Sequence, residues 1–209
     1  MTTEAAVRPA QTKSIKPEWT YAQRSGKIKA DKWTYEDYLK LPDDGCRYEI
    51  IEGVLYLSNA PNIDHQFTAV EIAFQIKLFV KKSQLGYVLT APFEVHLSET
   101  TKPVQPDVLF IKAERWPAPG AKYFDGPPDI IVEVLSPSTR RVDQVIKFRA
   151  YEKAQVPEYW IADPKTHSIQ VYILENQEYI LLGEFIEEEL IESNVLTGLK
   201  ITTRSLFNA

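Results

Sequence analysis

PPDIIVEVLSPSTRRVDQVIKFRAYEKAQVPEYWIADP, residues 127–164, is the stretch that decides the fold. Its first apolar run, residues 130–135, contains one acid, Glu133, and runs of this kind are typical of a strand that is buried on both faces. After a turn of capping residues, residues 141–154 have the apolar spacing of a helix. A second apolar run, residues 159–162, ends at an Asp-Pro step. The stretch therefore predicts a strand–helix–strand unit with a charge in its first strand.

Glu133 is unusual because an ionised carboxylate inside a buried strand is costly unless it has a cation, a metal or a proton. A second acid, Asp107, stands at the entry of another apolar run in QPDVLFI, residues 105–111. If the two strands are neighbours, the carboxylates lie close together and cannot both stay ionised without a cation. Oxygen ligands of this kind suit Mg²⁺ or Mn²⁺, completed by water and substrate phosphate. The pair predicts a metal site; the alternative is that Asp107 only ends a loop and Glu133 pairs with a buried arginine.

Lys147 is the candidate cation for such a site, because a positive charge is needed to stabilise a phosphate in its transition state or to position water. It lies in the helix that follows Glu133. Asp143 precedes it by one turn, and an Asp–Lys pair at this spacing is a common feature of exposed helix faces. From the sequence alone, a surface ion pair is the simpler interpretation of Lys147.

The rest of the chain predicts strands with few helices. A short helix capped by Thr34 is expected at residues 35–41. A long helix is expected from Asp64 to about residue 84, with Gly86 as its C-terminal cap. The apolar positions of the long helix include Phe67, Val70, Phe74, Leu78 and, around the side, Ile76 and Phe79. The expected strands are residues 47–51 and 54–57 as a hairpin, 87–90, 93–97, 108–111, 169–174 and 179–182 as a second hairpin, and a last edge strand within 195–207. Residues 116–128, rich in proline, are expected to form a loop. This order predicts an α/β fold with a mixed sheet rather than a doubly wound one.

The composition and net charge of the chain exclude several classes of protein. The 209 residues are 44% hydrophobic and 25% charged, which fits one globular domain at residues 32–209 behind a mobile tail at residues 1–31. The net charge of −5 excludes a global basic field, so contact with nucleic acid would need a local patch. A single cysteine, Cys46, excludes an intrachain disulfide and a cysteine-based zinc site. No apolar segment has membrane-spanning length, and a cytoplasmic location without membrane contact is expected.

Three segments together resemble the Uma2 family: RYEIIEGVLYLS at residues 47–58, QPDVLFI at residues 105–111, and the stretch at residues 127–164. The resemblance extends over about residues 32–206. It implies a restriction-endonuclease-like PD-(D/E)XK core, in which a mixed β-sheet is flanked by helices. In this chain the core would carry an extra N-terminal helix and hairpin. The family is abundant in cyanobacteria.

The resemblance also assigns the site. The Asp of the "PD" motif falls on Asp107 and the acid of "(D/E)XK" falls on Glu133, whereas the motif's lysine position is occupied by Leu135. In this family the lysine is expected on the following helix, which here means Lys147.

Two further positions match the family pattern. Glu49 matches an acid of the first hairpin, and it would be either a further ligand for metal or water or a half-exposed strand acid. His65 matches a histidine that opens the long helix, and it would hydrogen-bond a carboxylate or a phosphate, or only cap and pack.

The resemblance implies an Mg²⁺- or Mn²⁺-dependent endonuclease that acts on nucleic acid, with DNA as the expected substrate. A homodimer is expected, because many relatives pair to cut two strands. The alternative is a catalytically silent nucleic-acid-binding or regulatory protein that retains the fold. Hydrolysis of a phosphodiester outside nucleic acid at the same site is a third possibility.

Overall fold

The computed structural model describes residues 32–58 and 60–207, so the tail expected at residues 1–31 lies outside the described residues. The strands are β1 (Arg47–Ile51), β2 (Val54–Ser58), β3 (Gly86–Thr90), β4 (Glu94–His96), β5 (Val108–Lys112), β6 (Tyr123–Asp125), β7 (Ile130–Val134), β8 (Glu158–Asp163), β9 (Ser168–Glu175) and β10 (Glu178–Ile186). The helices are α1 (Tyr35–Tyr38), α2 (Ile63–Ser83) and α3, which is π-helical over Val142–Lys147 and α-helical over Phe148–Lys153. Short 3₁₀ turns occupy Ala113–Arg115 and Thr203–Leu206.

A six-stranded sheet in the order β10-β9-β8-β7-β5-β3 forms the centre of the fold. Only β7 and β8 run parallel, and the other neighbours in this sheet are antiparallel. The parallel pair is the strand–helix–strand unit of residues 127–164, with α3 as its crossover. The mixed α/β architecture predicted from the sequence is confirmed.

The two faces of the sheet are covered by different elements. Apolar residues of α2 and of the C-terminal region pack on one face, against Val132 and Trp160 among others. Tyr151 of α3 and the hairpin residue Ile51 belong to the cluster on the other face, which contains Ile131. Because side chains alternate along a strand, Glu133 shares the face of Ile131 and not that of Val132. This alternation directs its carboxylate towards α3.

The β1–β2 hairpin lies over the α3 side of the sheet and is held there at several points. Ile50 N–H donates to Pro103 O at 2.9 Å, and Gly53 N–H donates to Thr100 O at 2.8 Å. The turn of the hairpin reaches α3 through an ion pair between Lys153 Nζ and Glu52 Oε2 at 3.0 Å. The hairpin therefore closes the sheet face that carries Glu133.

Helix α2 ends close to residue 84, as predicted, but both of its caps differ from the prediction. Asn62, not Asp64, is its N-cap, because the Asn62 side chain accepts the N–H of His65 at 3.0 Å. The helix closes at Gln84, whose φ of 52° is left-handed, whereas Gly86 is the first residue of β3. A glycine is required at residue 86 for another reason: a Cβ there would collide with Ile111 O and the Phe110 ring.

The large apolar residues that stand out in the sequence of α2 do not mark its buried face. The helix buries Ala69, Ile72 and Ile76 against the sheet, while Phe67, Val70, Phe74 and Leu78 are exposed. The sequence is apolar on two sides of this helix. The side with the smaller and branched residues packs on the sheet beside Trp160 and Phe110, and the side with the larger residues faces outwards.

Two predictions outside the central unit are also wrong. No edge strand forms within residues 195–207, which hold one bridge residue, Thr202, and a 3₁₀ turn. Their apolar residues instead pack on the core without strand pairing. The proline-rich segment expected as a loop contains β6, which pairs in parallel with β4. Phe124, in the middle of β6, is buried in the core.

Candidate active site

Asp107 and Glu133 lie on neighbouring antiparallel strands. Val108 of β5 is in register with Val132 of β7, so Asp107, one residue earlier, continues the register opposite Glu133. The Val134 N–H donates to Asp107 Oδ2 at 2.9 Å, which ties the carboxylate to β7. The strand order therefore brings the two acids to one sheet face.

Asp107 is buried and held by two basic side chains. Arg47 Nη1 donates to its Oδ1 at 3.0 Å, and His65 Nε2 lies 3.1 Å from its Oδ2. Burial alone would raise the pKa of Asp107, but the His65 hydrogen bond and the charge of Arg47 outweigh it, so the pKa lies well below its ordinary value. Asp107 is ionised at neutral pH.

Glu133 is held by Lys147 and Tyr151. Lys147 Nζ donates to Glu133 Oε1 at 2.9 Å, and Tyr151 Oη donates to the same oxygen at 2.6 Å. Lys147 is only 2% exposed, so the surface ion pair considered for it is wrong. Burial raises the pKa of Glu133 well above its ordinary value, although the nearby ammonium of Lys147 opposes this rise.

Two more acids surround Lys147. Glu49 Oε2 lies 3.0 Å from Lys147 Nζ, and Glu49 Oε1 accepts the Gln105 N–H at 2.7 Å. Glu49 is 1% exposed, so a half-exposed strand acid is ruled out. Asp143 Oδ1 lies 3.8 Å from Lys147 Nζ, and burial raises the pKa of Asp143 to about 6. Burial would lower the pKa of Lys147, but the surrounding carboxylates outweigh burial and raise it.

The cluster has an excess of negative charge. The buried carboxylates of Glu49, Asp107, Glu133 and Asp143 face the cations of Arg47 and Lys147 and the imidazole of His65. Like charges at close range cannot all stay ionised, which is why mutual repulsion adds to the raised pKa values of Glu133 and Asp143. A divalent cation would balance this excess.

Two adjoining cavities lead to the cluster. A cavity of about 30 Å³, the volume of one water molecule, is lined by Arg47, His65, Asp107, Glu133 and Lys147, among others. A second cavity of about 300 Å³ shares Arg47, His65 and Asp107 with the first. Its walls continue along α2 and the loop before β4. The larger cavity is therefore an approach from the surface to Asp107.

The sequence model of Uma2, described as "Putative restriction endonuclease", matches residues 35–204. The chain belongs to the Uma2 family. A crystal structure of "a putative nuclease belonging to DUF820" from Anabaena variabilis has a similar fold, with a TM-score of 0.71 and 23% sequence identity. The alignment covers 83% of this chain and 97% of that one. A comparison with curated proteins gave no match at the threshold applied. In the described part of this Uma2 chain, no helix is both long and apolar enough to cross a bilayer.

The donor set of this Uma2 protein fits a hard divalent cation in kind. Within residues 32–58 and 60–207, no three His, Cys, Asp or Glu side chains are grouped so that they could hold a metal ion by themselves. Mg²⁺ needs fewer protein ligands, because it keeps several waters and binds through one or two carboxylates together with substrate phosphates. Asp107 and Glu133, on one sheet face in a cluster with excess negative charge, meet that requirement.

Sequence reasoning missed the contacts of Arg47 and Tyr151 in this Uma2 chain. Tyr151 is buried, and it also donates to Glu133. The sequence spacing of each residue from a predicted site residue could have indicated its contact. Arg47 precedes Glu49 by two residues in a strand and so shares its face, and Tyr151 follows Lys147 by four residues in a helix. The π-helical turn that carries Asp143 and Lys147 had no such signal, although turns of this kind are frequent at functional sites.

Proposed function

We propose that this Uma2 protein is a metal-dependent nuclease that hydrolyses phosphodiester bonds in nucleic acid, with DNA as its substrate. The observation that carries the proposal is the convergence of Asp107, Glu133 and Lys147 in one buried cluster. Two carboxylates with a lysine ammonium beside them are the combination that phosphodiester hydrolysis needs: acids for a metal and a cation for developing charge.

The roles follow from the contacts. Asp107 and Glu133 would hold Mg²⁺ or Mn²⁺, which when bound supplies an activated water and neutralises charge on the scissile phosphate. Lys147 has three N–H donors, of which one goes to Glu133 Oε1, and Glu49 Oε2 lies 3.0 Å from its Nζ. A remaining donor would orient the attacking water or offset charge on the phosphate. Tyr151 holds the Glu133 carboxylate in place.

The cavity of about 300 Å³ supplies the approach for the substrate. Its volume is at the small end of ligand sites, so it fits a single nucleotide unit of a strand. Arg47 and His65 stand where the cavity meets Asp107. Since the whole chain carries a net charge of −5, these local basic groups would have to hold the phosphate.

The test is cleavage of duplex DNA, single-stranded DNA, RNA and a small phosphodiester with Mg²⁺, Mn²⁺ or EDTA. We expect metal-dependent cleavage of DNA that leaves 5′-phosphate and 3′-hydroxyl ends, and its loss in Asp107→Asn and Glu133→Gln. Asp129→Asn is the matched control, because Asp129 is also buried and ion-paired but its partner is Arg115, outside the cluster. Cleavage that persists in both site variants would show a contaminating enzyme and contradict the proposal.

A binding protein without catalysis is the second candidate, and one observation favours it. Both oxygens of Asp107 are already bound by this chain's own donors, and Glu133 accepts from Lys147 and Tyr151. A cluster satisfied in this way can persist without a metal. Calorimetry separates the candidates: DNA binding with no heat from Mg²⁺ or Mn²⁺, in the presence or absence of DNA, would support the binding protein.

A further inference from the structure

The outer face of α2 carries a continuous apolar stripe. Its members are Ile63, Phe67, Val70, Phe74 and Leu78, which are 76%, 37%, 52%, 55% and 59% exposed. With about 3.6 residues per turn, spacings of three and four place all of them on one side of the helix. Single exposed apolar residues are ordinary, whereas a contiguous exposed patch marks a surface that binds something.

The stripe cannot turn inwards, because the opposite side of α2 is already used. Ala69, Ile72 and Ile76 are buried against the sheet on that side. His65, on the same inner side, contacts Asp107. The inner side therefore fixes the rotation of the helix, and the stripe must face away from this chain's own core.

The charges along the stripe indicate what covers it. Asp64, Glu71, Gln75 and Lys82 follow one flank of the stripe, with the acids in the first half of α2 and the lysine at its end. When two copies of α2 pack antiparallel, like flanks meet, so that Asp64 of one copy faces Lys82 of the other and Glu71 faces Gln75. A parallel two-fold pair would instead bring this flank against the opposite flank, so that Asp64 and Lys82 would not meet. The charges of this flank therefore complement themselves in the antiparallel orientation.

We propose that α2 is the interface of a symmetric homodimer in which the two stripes pack antiparallel. The two-fold axis then passes near the middle of the helix. Phe67 of one copy packs against Leu78 of the other, and Val70 packs against Phe74. The occupant is thus a second copy of this chain, and the contact is isologous.

This interface lies next to the candidate active site. Val70 also lines the cavity of about 300 Å³, so the second copy stands at the mouth of that cavity. His65 is near the start of α2, so the antiparallel pair sets the two sites roughly 20 Å apart along the helix direction. A single helix pair buries less than a standard interface, and we expect a dissociation constant in the micromolar range.

Sedimentation velocity of the full-length chain over micromolar concentrations tests the proposal. We expect a reversible dimer whose dissociation constant rises at least ~30-fold in Phe74→Glu and in Val70→Glu, as for residues at the centre of an interface. Leu39→Glu is the matched control, because Leu39 is apolar and 66% exposed but lies at the end of α1. Circular dichroism checks that each variant is folded; the substituted side chains are exposed, so folding should be unaffected.

A charge reversal tests the orientation. Lys82→Asp should weaken the dimer several-fold, and combining it with Asp64→Lys should restore the dimer. A wild-type chain that is monomeric throughout, or a dimer that survives both stripe variants, would overturn the proposal. If a chain lacking residues 1–31 dimerises while the full chain does not, those residues cover the stripe instead, and the proposal also fails.

Discussion

Lys147 is the residue whose sequence position departs most from the expected motif, yet its ammonium lies 2.9 Å from Glu133. Leu135, at the motif's lysine position, is buried in the apolar cluster on the α3 side of the sheet. A lysine from α3 can reach Glu133 because β7 and α3 are consecutive and α3 packs on the sheet face that Glu133 shares. The charge beside Glu133 therefore comes from α3 and not from β7 itself.

Replacing Lys147 by methionine should abolish cleavage and also destabilise the fold. The substitution leaves Glu133 and Glu49 buried without their shared cation, and loss of one partner of a buried pair costs about 3–5 kcal/mol. Because the stranded carboxylates can take up protons in acid, the loss in free energy of unfolding should be larger at pH 8 than at pH 5. Urea unfolding at both pH values measures it.

Lys153→Met is the control for this prediction. Lys153 lies on the same helix and also pairs with a glutamate, Glu52, but its side chain is 70% exposed. A pair of this kind contributes about 0–1 kcal/mol. Equal losses in the two variants would show that Lys147 has no special role in the cluster.

Asp143 should make stability depend on pH in a direction unusual for an acid. Its pKa of about 6 in the folded chain lies above the ordinary aspartate value of 3.8, so the folded state favours the protonated form. The group therefore costs stability as the pH rises from about 4 through 6, by at most ~3 kcal/mol for a shift of this size. Asp143→Asn cannot ionise, and its stability relative to wild type should increase over the same interval. A stability difference that stays flat between pH 4 and 8 would contradict the assignment.

Site residues could be predicted from the sequence where a charged side chain is attached to an apolar strand. Asp107 and Glu133 stood out because each is a charge attached to an apolar strand, and the sheet order then decided that the strands are neighbours. The contacts of Arg47 and Tyr151 depend on how the hairpin and α3 dock on the sheet. Docking is a tertiary property, so strand and helix periodicity show only which face each residue occupies.

At the scale of elements, Glu158 joins β8 to the C-terminal segment. Its carboxylate is buried in the sheet and accepts from Trp160 Nε1 and Ser193 Oγ at 2.7 Å, and from the Asn194 and Val195 N–H groups at 2.9 and 3.0 Å. All four donors bind the Glu158 carboxylate. These hydrogen bonds explain how the C-terminal segment, which has no strand pairing, is fixed against the core.

Glu158→Gln should therefore release that segment. The amide NH₂ group cannot accept, so two of the four donors lose their partner, at a cost of about 1–3 kcal/mol for each buried group. We expect lower stability in urea and faster amide hydrogen exchange at residues 193–195. Glu178→Gln, at an exposed position of β10, is the control and should leave both quantities unchanged.

Helix α2 shows why element faces are harder to predict than element positions. Its length followed from the apolar spacing, but apolar residues occur on two opposite sides, and periodicity alone does not say which side meets the sheet. In the structure, the side with Ala69 and Ile72 packs on the sheet, in one cluster with Trp160 and Phe110. The last predicted strand failed for a related reason: apolar residues at the C-terminus pack on the core through their side chains, and the pattern does not separate this from strand pairing.

At the scale of the whole molecule, four buried acids of an acidic chain gather around one buried lysine. The net charge is −5, and Glu49, Asp107, Glu133 and Asp143 lie in the interior beside Lys147. Interior charges are screened less by salt than surface ones. A divalent cation should therefore act on the stability of the entire fold, and this effect can be measured without a substrate.

We expect Mg²⁺ or Mn²⁺ to raise the melting temperature of the wild-type chain. A ligand that binds only the folded state stabilises it by about 2.7 kcal/mol at one hundred times its dissociation constant. For a domain of this size, that corresponds to a rise of roughly 5–10 °C. The rise should vanish in Asp107→Asn and Glu133→Gln and persist in Asp129→Asn, whose partner Arg115 lies outside the cluster. Sodium chloride matched for ionic strength controls for screening, since it cannot replace a divalent ion between two carboxylates. An equal rise in all variants would place the ion elsewhere on the protein, and no rise in the wild-type chain would contradict metal binding at the cluster.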